Sequence, residues 1–230
     1  MSAGAAEVSI DHERRSESRG ATVFRPVLIE TDDFAGFCLV RNLSPRGLRA
    51  KVYTSFAPDQ AITIQFNSDE LVRGTLIWCE DNHIGIKFAQ PVDVAQVLAN
   101  LARKEIDGRI NRPLRLPINC TGEFMVEGRA HRAEVQDISL RGLKVLTSFV
   151  KPGEELTIAL EGLERRKAIV RWSQSGMAGL SFLRALSFDE LAQWVVERHM
   201  DDIVRANAEC PSIGKVSLKP GESRSAAAII

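Results

Sequence analysis

The sequence predicts a mainly β protein in which a small antiparallel barrel or sandwich, followed by an α-helix, occurs twice in tandem. Short runs that alternate apolar and polar residues are separated by turn residues at near-regular spacing, which is typical of such sheets. The spacing of apolar residues then becomes helical. The pattern also repeats, because Asn42-Leu43-Ser44-Pro45-Arg46-Gly47 returns 95 residues later as Asp137-Ile138-Ser139-Leu140-Arg141-Gly142. A repeat of this kind indicates two copies of one folding unit.

The first copy contains a series of extended segments. Turns are predicted at Asp32-Asp33, Asn42–Gly47, Pro58-Asp59 and Asp81-Asn82, since these residue types favour tight turns. The predicted strands are Thr22–Phe24 with Val27–Ile29, Phe34–Val40, Leu48–Tyr53, Ala61–Phe66, Val72–Trp78 and Ile84–Phe88.

Each copy ends in a predicted helix. Apolar residues recur at helical spacing from Val92 to Ile106, before the helix stop Asp107-Gly108. The second helix is predicted from Asp189 to Ala208. We therefore predict four parts: a disordered N-terminus at residues 1–13, a first domain with its trailing helix at 14–106, a second domain with its C-terminal helix at 107–208, and a flexible tail at 209–230.

The composition excludes several classes of protein. The 230 residues include 30 Lys and Arg and 30 Asp and Glu, so the net charge gives no bias toward DNA, RNA or an anionic membrane. No apolar run is long enough for a membrane span, and residues 1–13 do not resemble a signal peptide. We therefore expect a cytoplasmic protein.

The sequence gives no sign of catalysis or metal binding. The four cysteines and four histidines show no metal-ligand spacing, so no metal is expected. Ser44 and Ser139 have no histidine at a repeated spacing that would activate them as nucleophiles. Trp78 and Trp172 occupy strand positions in both copies, and we interpret them as core residues rather than as a stacking platform for bases. We predict no catalytic residue and no enzyme activity.

Two polar motifs point to an anionic ligand. Arg15-Ser16-Glu17-Ser18-Arg19 precedes the first strand, and Asn42-Leu43-Ser44-Pro45-Arg46-Gly47 follows the second. Guanidinium groups bind phosphate oxygens and guanine edges, and small polar side chains supply further hydrogen bonds. In this order the two motifs resemble the R-x-x-x-R and [D/N]-x-S-x-x-G pattern of the PilZ family. The resemblance extends over most of the chain, twice.

This resemblance implies six-stranded antiparallel barrels that bind the bacterial second messenger cyclic di-GMP, without a cofactor. Arg15 and Arg19 would then clamp the phosphates and guanine edges of the ligand, while Asn42 and Ser44 would approach it from the barrel. Gly47 is expected to adopt backbone angles that other residues avoid. Arg14 and Arg46 are expected to add auxiliary contacts.

The second copy departs from the family pattern. It retains Asp137, Ser139 and Gly142, and Arg109 stands where the first copy has Arg19, but Glu105 replaces Arg15. A glutamate facing a phosphate turns an attraction into a repulsion. We therefore interpret the second site as degenerate.

Two functions are compatible with these sequence features. In the first, the protein is a cyclic-di-GMP receptor whose first barrel binds the ligand, orders the N-terminal arginine segment and changes the domain arrangement or the binding of a downstream protein. In the second, the two barrels form a ligand-independent scaffold for protein–protein interaction. A homodimer is compatible with both hypotheses.

Overall fold

The computed structural model describes residues 21–67, 70–102, 105–106, 109–110 and 113–209. The predictions for the N-terminus at residues 1–13, for Arg14, Arg15 and Arg19, and for nearly all of the tail at 209–230 lie outside the described residues.

The first barrel is formed by six antiparallel strands that close in the order β1-β2-β3-β6-β5-β4. Its strands are β1 (Ala21–Glu30), β2 (Ala35–Ser44), β3 (Gly47–Lys51), β4 (Ala61–Gln65), β5 (Leu71–Glu80) and β6 (His83–Phe88). Closure leaves no open sheet edge, and alternate residues point into the core.

The second barrel has the same topology, in the order β10-β11-β14-β13-β12-β9. Its strands are β9 (Leu116–Val126), β10 (Arg129–Ser139), β11 (Gly142–Leu146), β12 (Glu155–Ala159), β13 (Arg166–Gln174) and β14 (Met177–Phe182). The predicted fold class, two tandem six-stranded antiparallel barrels each followed by a helix, is confirmed.

The helices begin at capping residues. In helix α1 (Val94–Ala102), the Gln96 N–H donates to Asp93 Oδ1 at 3.1 Å. In helix α2 (Phe188–Glu209), the Glu190 N–H donates to Ser187 Oγ at 3.1 Å. These side chains satisfy N–H groups that have no partner within the helix.

The predicted first helix, Val92–Ile106, is too long. It ends at Ala102, and β7 (Glu105–Ile106) pairs with β8 (Arg109–Ile110) in a separate two-stranded sheet. Asp-Gly between two short β segments is a hairpin signal as well as a helix stop.

The turn predicted over Asn42–Gly47 is mostly strand. β2 continues to Ser44 and β3 begins at Gly47, so only Pro45 and Arg46 connect them. Asn42 and Ser44 are therefore held on a paired strand rather than on a loop.

Two apolar cores fill the barrels, and they meet at the junction. Leu28 and Phe37 belong to strands of the first barrel, yet both pack with the buried cluster of the second. Leu114, between the barrels, packs against both clusters. No helix within the described ranges is long and apolar enough to cross a membrane.

Candidate functional site

A depression of about 390 Å³ lies on the outer wall of the first barrel, across β2, β3, β6 and β5. Its lining includes the hairpin residues that carry the second predicted motif, together with positions from β5 and β6. The lining residues are Asn42, Leu43, Ser44, Arg46, Gly47, Leu48, Arg49, Ile77, Trp78, Gly85, Ile86 and Lys87.

One row of paired residues crosses the depression over four strands. Asn42 on β2 lies opposite Arg49 on β3, which lies opposite Gly85 on β6. Gly85 in turn lies opposite Trp78 on β5. With neighbouring strands about 4.8 Å apart, the row places an amide, a guanidinium group and an indole along a span of roughly 14 Å.

Trp78 lies over Gly85 on the outside of the barrel. A Cβ atom at Gly85 would stand 2.1 Å from Trp78 Nε1, so only glycine leaves room for the indole. Trp78 is 36% exposed, and its counterpart Trp172 is 40% exposed over Gly179. The interpretation of both tryptophans as core residues is wrong. Each indole lies on the outer surface of its barrel, in the space left by the missing side chain of the paired glycine, and we call this surface the aromatic shelf.

A second row lies beside the first at the hairpin. Ser44 pairs with Gly47, and Gly47 pairs with Lys87 on β6. The Ser44 hydroxyl donates to the Gly47 carbonyl at 3.0 Å, which holds the hairpin closed. The row therefore combines a fixed hydroxyl with the ammonium group of Lys87.

Gly47 is required for a different reason from the one expected. Its φ lies outside the left-handed region, but a Cβ atom there would stand 2.3 Å from the Ile86 carbonyl oxygen. Close approach of β3 to β6, rather than unusual backbone angles, excludes a side chain at this position.

The depression is positively charged. Arg46, Arg49 and Lys87 line it, and no acidic residue is among its described lining residues. The Arg49 guanidinium carbon lies 5.9 Å from the centre of the Trp78 ring, within the range of a cation–π interaction. The arrangement can hold an anion and present an aromatic face beside it.

β-Bulges aim these side chains outward. The pairing register shifts between Val40 and Asn42 on β2, and between Leu76 and Trp78 on β5. Each shift inserts one extra residue, so Asn42 and Trp78 both point away from the core.

The second barrel repeats this geometry with different charges. Asp137 lies opposite Lys144, and Ser139 donates to the Gly142 carbonyl at 3.1 Å. The Asp137 carboxylate binds Arg115 at 2.8 Å and Lys144 at 3.2 Å. The residue that corresponds to Asn42 is therefore a carboxylate that offsets the charge of two cations of its own barrel, so this surface is less positive than the depression of the first barrel.

The structure brings some of the predicted residues together. Asn42, Ser44, Arg46 and Gly47 all line the depression. In the second barrel, Asp137, Ser139 and Gly142 share one hairpin. Arg109 lies on β8.

The lining residues that the sequence reasoning missed include the two cations Arg49 and Lys87 and the pair Trp78 and Gly85. A signal for two of them was present. A tryptophan precedes a glycine by seven residues in both copies, at Trp78 and Gly85 and again at Trp172 and Gly179. Two bulky aromatics paired with two glycines at one spacing favour a ring packed on a glycine backbone.

The resolved pKa shifts belong to buried thiols. Burial raises the pKa of Cys38 above its usual range and also raises the pKa of Cys120, where Arg198 partly opposes the shift. Both groups remain protonated near neutral pH and are poor nucleophiles. In the described ranges, no group of three His, Cys, Asp or Glu side chains could hold a metal ion.

Comparison with known families confirms the resemblance. The PilZ domain model matches residues 13–104 and again residues 109–197. Similar solved structures include the Borreliella burgdorferi PlzA protein in complex with c-di-GMP, at 11% identity and a TM-score of 0.33, covering 80% of this chain and 96% of that chain. The Bacillus subtilis inhibitor of motility MotI/DgrA matches at 17% identity and a TM-score of 0.31, covering 79% and 99%. Escherichia coli YcgR in complex with c-di-GMP matches at 13% identity and a TM-score of 0.32, covering 80% and 87%. A search of curated protein sequences found no match.

Proposed function

Because the chain belongs to the PilZ domain family, we propose that its first barrel is a receptor for cyclic di-GMP. Family membership favours this class of ligand, and the surface of the first barrel supports the choice. We assign a signalling role rather than a catalytic one, with the ligand as the only small molecule required and the cytoplasm as its compartment.

The proposal rests on the depression of the first barrel, which has no acidic residue among its described lining residues and includes the exposed indole of Trp78. Cyclic di-GMP has two phosphates and two guanines. Arg46, Arg49 and Lys87 supply cations for the phosphates, and the exposed face of Trp78 suits a guanine ring. Asn42 and Ser44 add hydrogen-bonding groups.

Chain connectivity supports a role for the arginine motif at this surface. β1 begins at Ala21, which pairs with Leu43 between Asn42 and Ser44. Arg19 precedes Ala21 by two residues, a span of at most about 7 Å. We propose that the ligand orders the segment from Arg14 to Arg19 over the depression, because two phosphates would neutralise its cations.

The second barrel takes a supporting role in this proposal. Its Asp137 is occupied by Arg115 and Lys144, so we assign ligand binding to the first barrel. The docked arginine segment would change the domain arrangement or present a surface for a downstream protein.

Calorimetric titration of cyclic di-GMP tests the site. Wild-type protein is compared with Arg15→Ala/Arg19→Ala and with the control Arg129→Ala/Arg132→Ala, which removes two exposed arginines from the second barrel. We expect binding in the wild type and the control, and a loss of at least about a hundredfold in the Arg15/Arg19 variant. No binding by the wild type would favour the scaffold hypothesis, and equal binding by both variants would place the ligand elsewhere.

Hydrogen exchange tests the ordering step separately. Amides in residues 14–20 should exchange more slowly when cyclic di-GMP is bound, with no comparable change at the second-barrel hairpin. Binding without protection of this segment would contradict the ordering step while leaving the site intact.

A further inference from the structure

A second cleft lies where the two barrels meet, away from the depression described above. It encloses about 350 Å³, within the range of small-molecule sites, which favour domain interfaces. It is lined by Arg25, Pro26, Phe37, Phe66, Asn67, Leu101, Pro113, Leu114, Leu140 and Arg141.

Two arginines stand at this cleft, one from each barrel. Arg25 is on β1, and Arg141 is at the tip of the β10–β11 hairpin. Both are exposed, and neither guanidinium group has a hydrogen-bond or ion-pair partner in the part of the chain that the structure describes. No acidic residue is among the described lining residues. The cleft is therefore electrostatically suited to an anion.

The position of Arg141 is fixed by its backbone. Its N–H donates to Ser139 Oγ at 3.3 Å, and its carbonyl accepts from the Phe182 N–H at 2.9 Å. The corresponding residue of the first barrel, Arg46, lines the first depression instead. Arg46 therefore lies at the outer wall of the first barrel, whereas Arg141, at the same hairpin position of the second barrel, lies at the domain junction.

The remaining walls are mostly apolar. Leu101, Leu114 and Leu140 are partly exposed, whereas Phe37 and Phe66 are only 5% and 2% exposed. Since neither phenyl ring presents an open face comparable to that of Trp78, the cleft suits an aliphatic body better than a stacked base. Asn67, 3% exposed and bound to Glu70, is the one uncharged polar side chain among the described lining residues.

We propose that this interdomain cleft binds an organic anion with an aliphatic body, of the medium-chain carboxylate type. The carboxylate lies between Arg25 and Arg141, and the chain packs against the leucines. A ligand held by residues of both barrels stabilises their junction, because it binds the folded, docked state. This site is independent of the cyclic-di-GMP site.

Three probes distinguish the contribution of the carboxylate charge from that of the aliphatic chain. Decanoate has both, decanol lacks the charge, and acetate lacks the long chain. Calorimetry and thermal unfolding are measured for the wild type, for Arg25→Gln/Arg141→Gln and for the control Arg129→Gln/Arg132→Gln. We expect decanoate to bind the wild type and the control and to raise their melting temperature. Decanol and acetate should bind at least about tenfold more weakly, and so should decanoate to the Arg25/Arg141 variant.

Several results would overturn the proposal. Equal binding of decanol and decanoate would remove the role of the arginines, and unchanged binding by the Arg25/Arg141 variant would place the ligand elsewhere. Absence of decanoate binding to the wild type, or equal weakening in both variants, would also reject the site. Cyclic di-GMP is also titrated into the Arg25/Arg141 variant, where binding shows that the variant is folded. Titration of cyclic di-GMP into the wild type tests the first site separately.

Discussion

Gly47 shows how a single motif residue is constrained by contact. An added methyl group would meet the Ile86 carbonyl oxygen at 2.3 Å, so β3 would have to move away from β6. We expect Gly47→Ala to lower the free energy of unfolding by about 1–3 kcal/mol, measured by urea denaturation. Gly128→Asn is the control, because the space around the Cβ position of Gly128 is open and asparagine tolerates its φ of 79° better than most residues do. Equal stability of wild type and Gly47→Ala would contradict the contact argument.

Asp137 makes the second barrel depend on a charge network where the first barrel has a neutral amide. Its carboxylate is 12% exposed and binds both Arg115 and Lys144. Asp137→Asn leaves these partly exposed cations without their counter-charge, and we expect a loss of about 1–2 kcal/mol in the free energy of unfolding. Asp189→Asn is the comparison, since Asp189 is 64% exposed and pairs with Lys51. A larger loss at Asp189 than at Asp137 would refute this ranking.

At the scale of strands, Trp78 and its neighbours act as one surface. If a guanine stacks on the indole, Trp78→Ala should weaken cyclic-di-GMP binding by roughly tenfold or more, since base stacking contributes about 1–3 kcal/mol. Trp172→Ala, on the equivalent shelf of the second barrel, should leave the affinity unchanged. Calorimetric titration of both variants checks this. A loss of affinity only in Trp172→Ala would move the site to the second barrel.

The strands also show what the sequence could predict. Short apolar runs between turn residues, several of them alternating with polar residues, were enough to find all six strands of the first barrel. It could not place Trp78, because the bulge between Leu76 and Trp78 breaks the alternation and turns a large apolar ring outward. The helix predicted to Ile106 was too long for another reason, because Asp107-Gly108 is typical of both a helix end and a hairpin.

Across the whole molecule, the two barrels share contacts that tandem repetition alone does not require. Asp189, at the start of α2, binds Lys51 at the end of β3 and Tyr53 just beyond it. The centre of the Phe34 ring lies 5.3 Å from that of the His199 ring on α2. These contacts connect the strand that carries Arg49 to the helix of the second barrel. If the arginine segment docks on the first barrel as proposed, it would act on a strand that already contacts the second barrel.

Phe37 anchors this junction through apolar packing. It belongs to β2 of the first barrel, is 5% exposed, and packs in the apolar cluster of the second barrel. Phe37→Ala removes that contact, and we expect a loss of about 3–5 kcal/mol in the free energy of unfolding. Because the lost energy belongs to the junction, calorimetric melting should change from one transition in the wild type to two in the variant, one for each barrel.

Leu71→Ala, at a position 63% exposed, is the control and should melt like the wild type. A single transition in Phe37→Ala with the full loss of stability would mean that the barrels remain coupled through Asp189 and His199, and two transitions in the wild type would mean that Phe37 does not couple them.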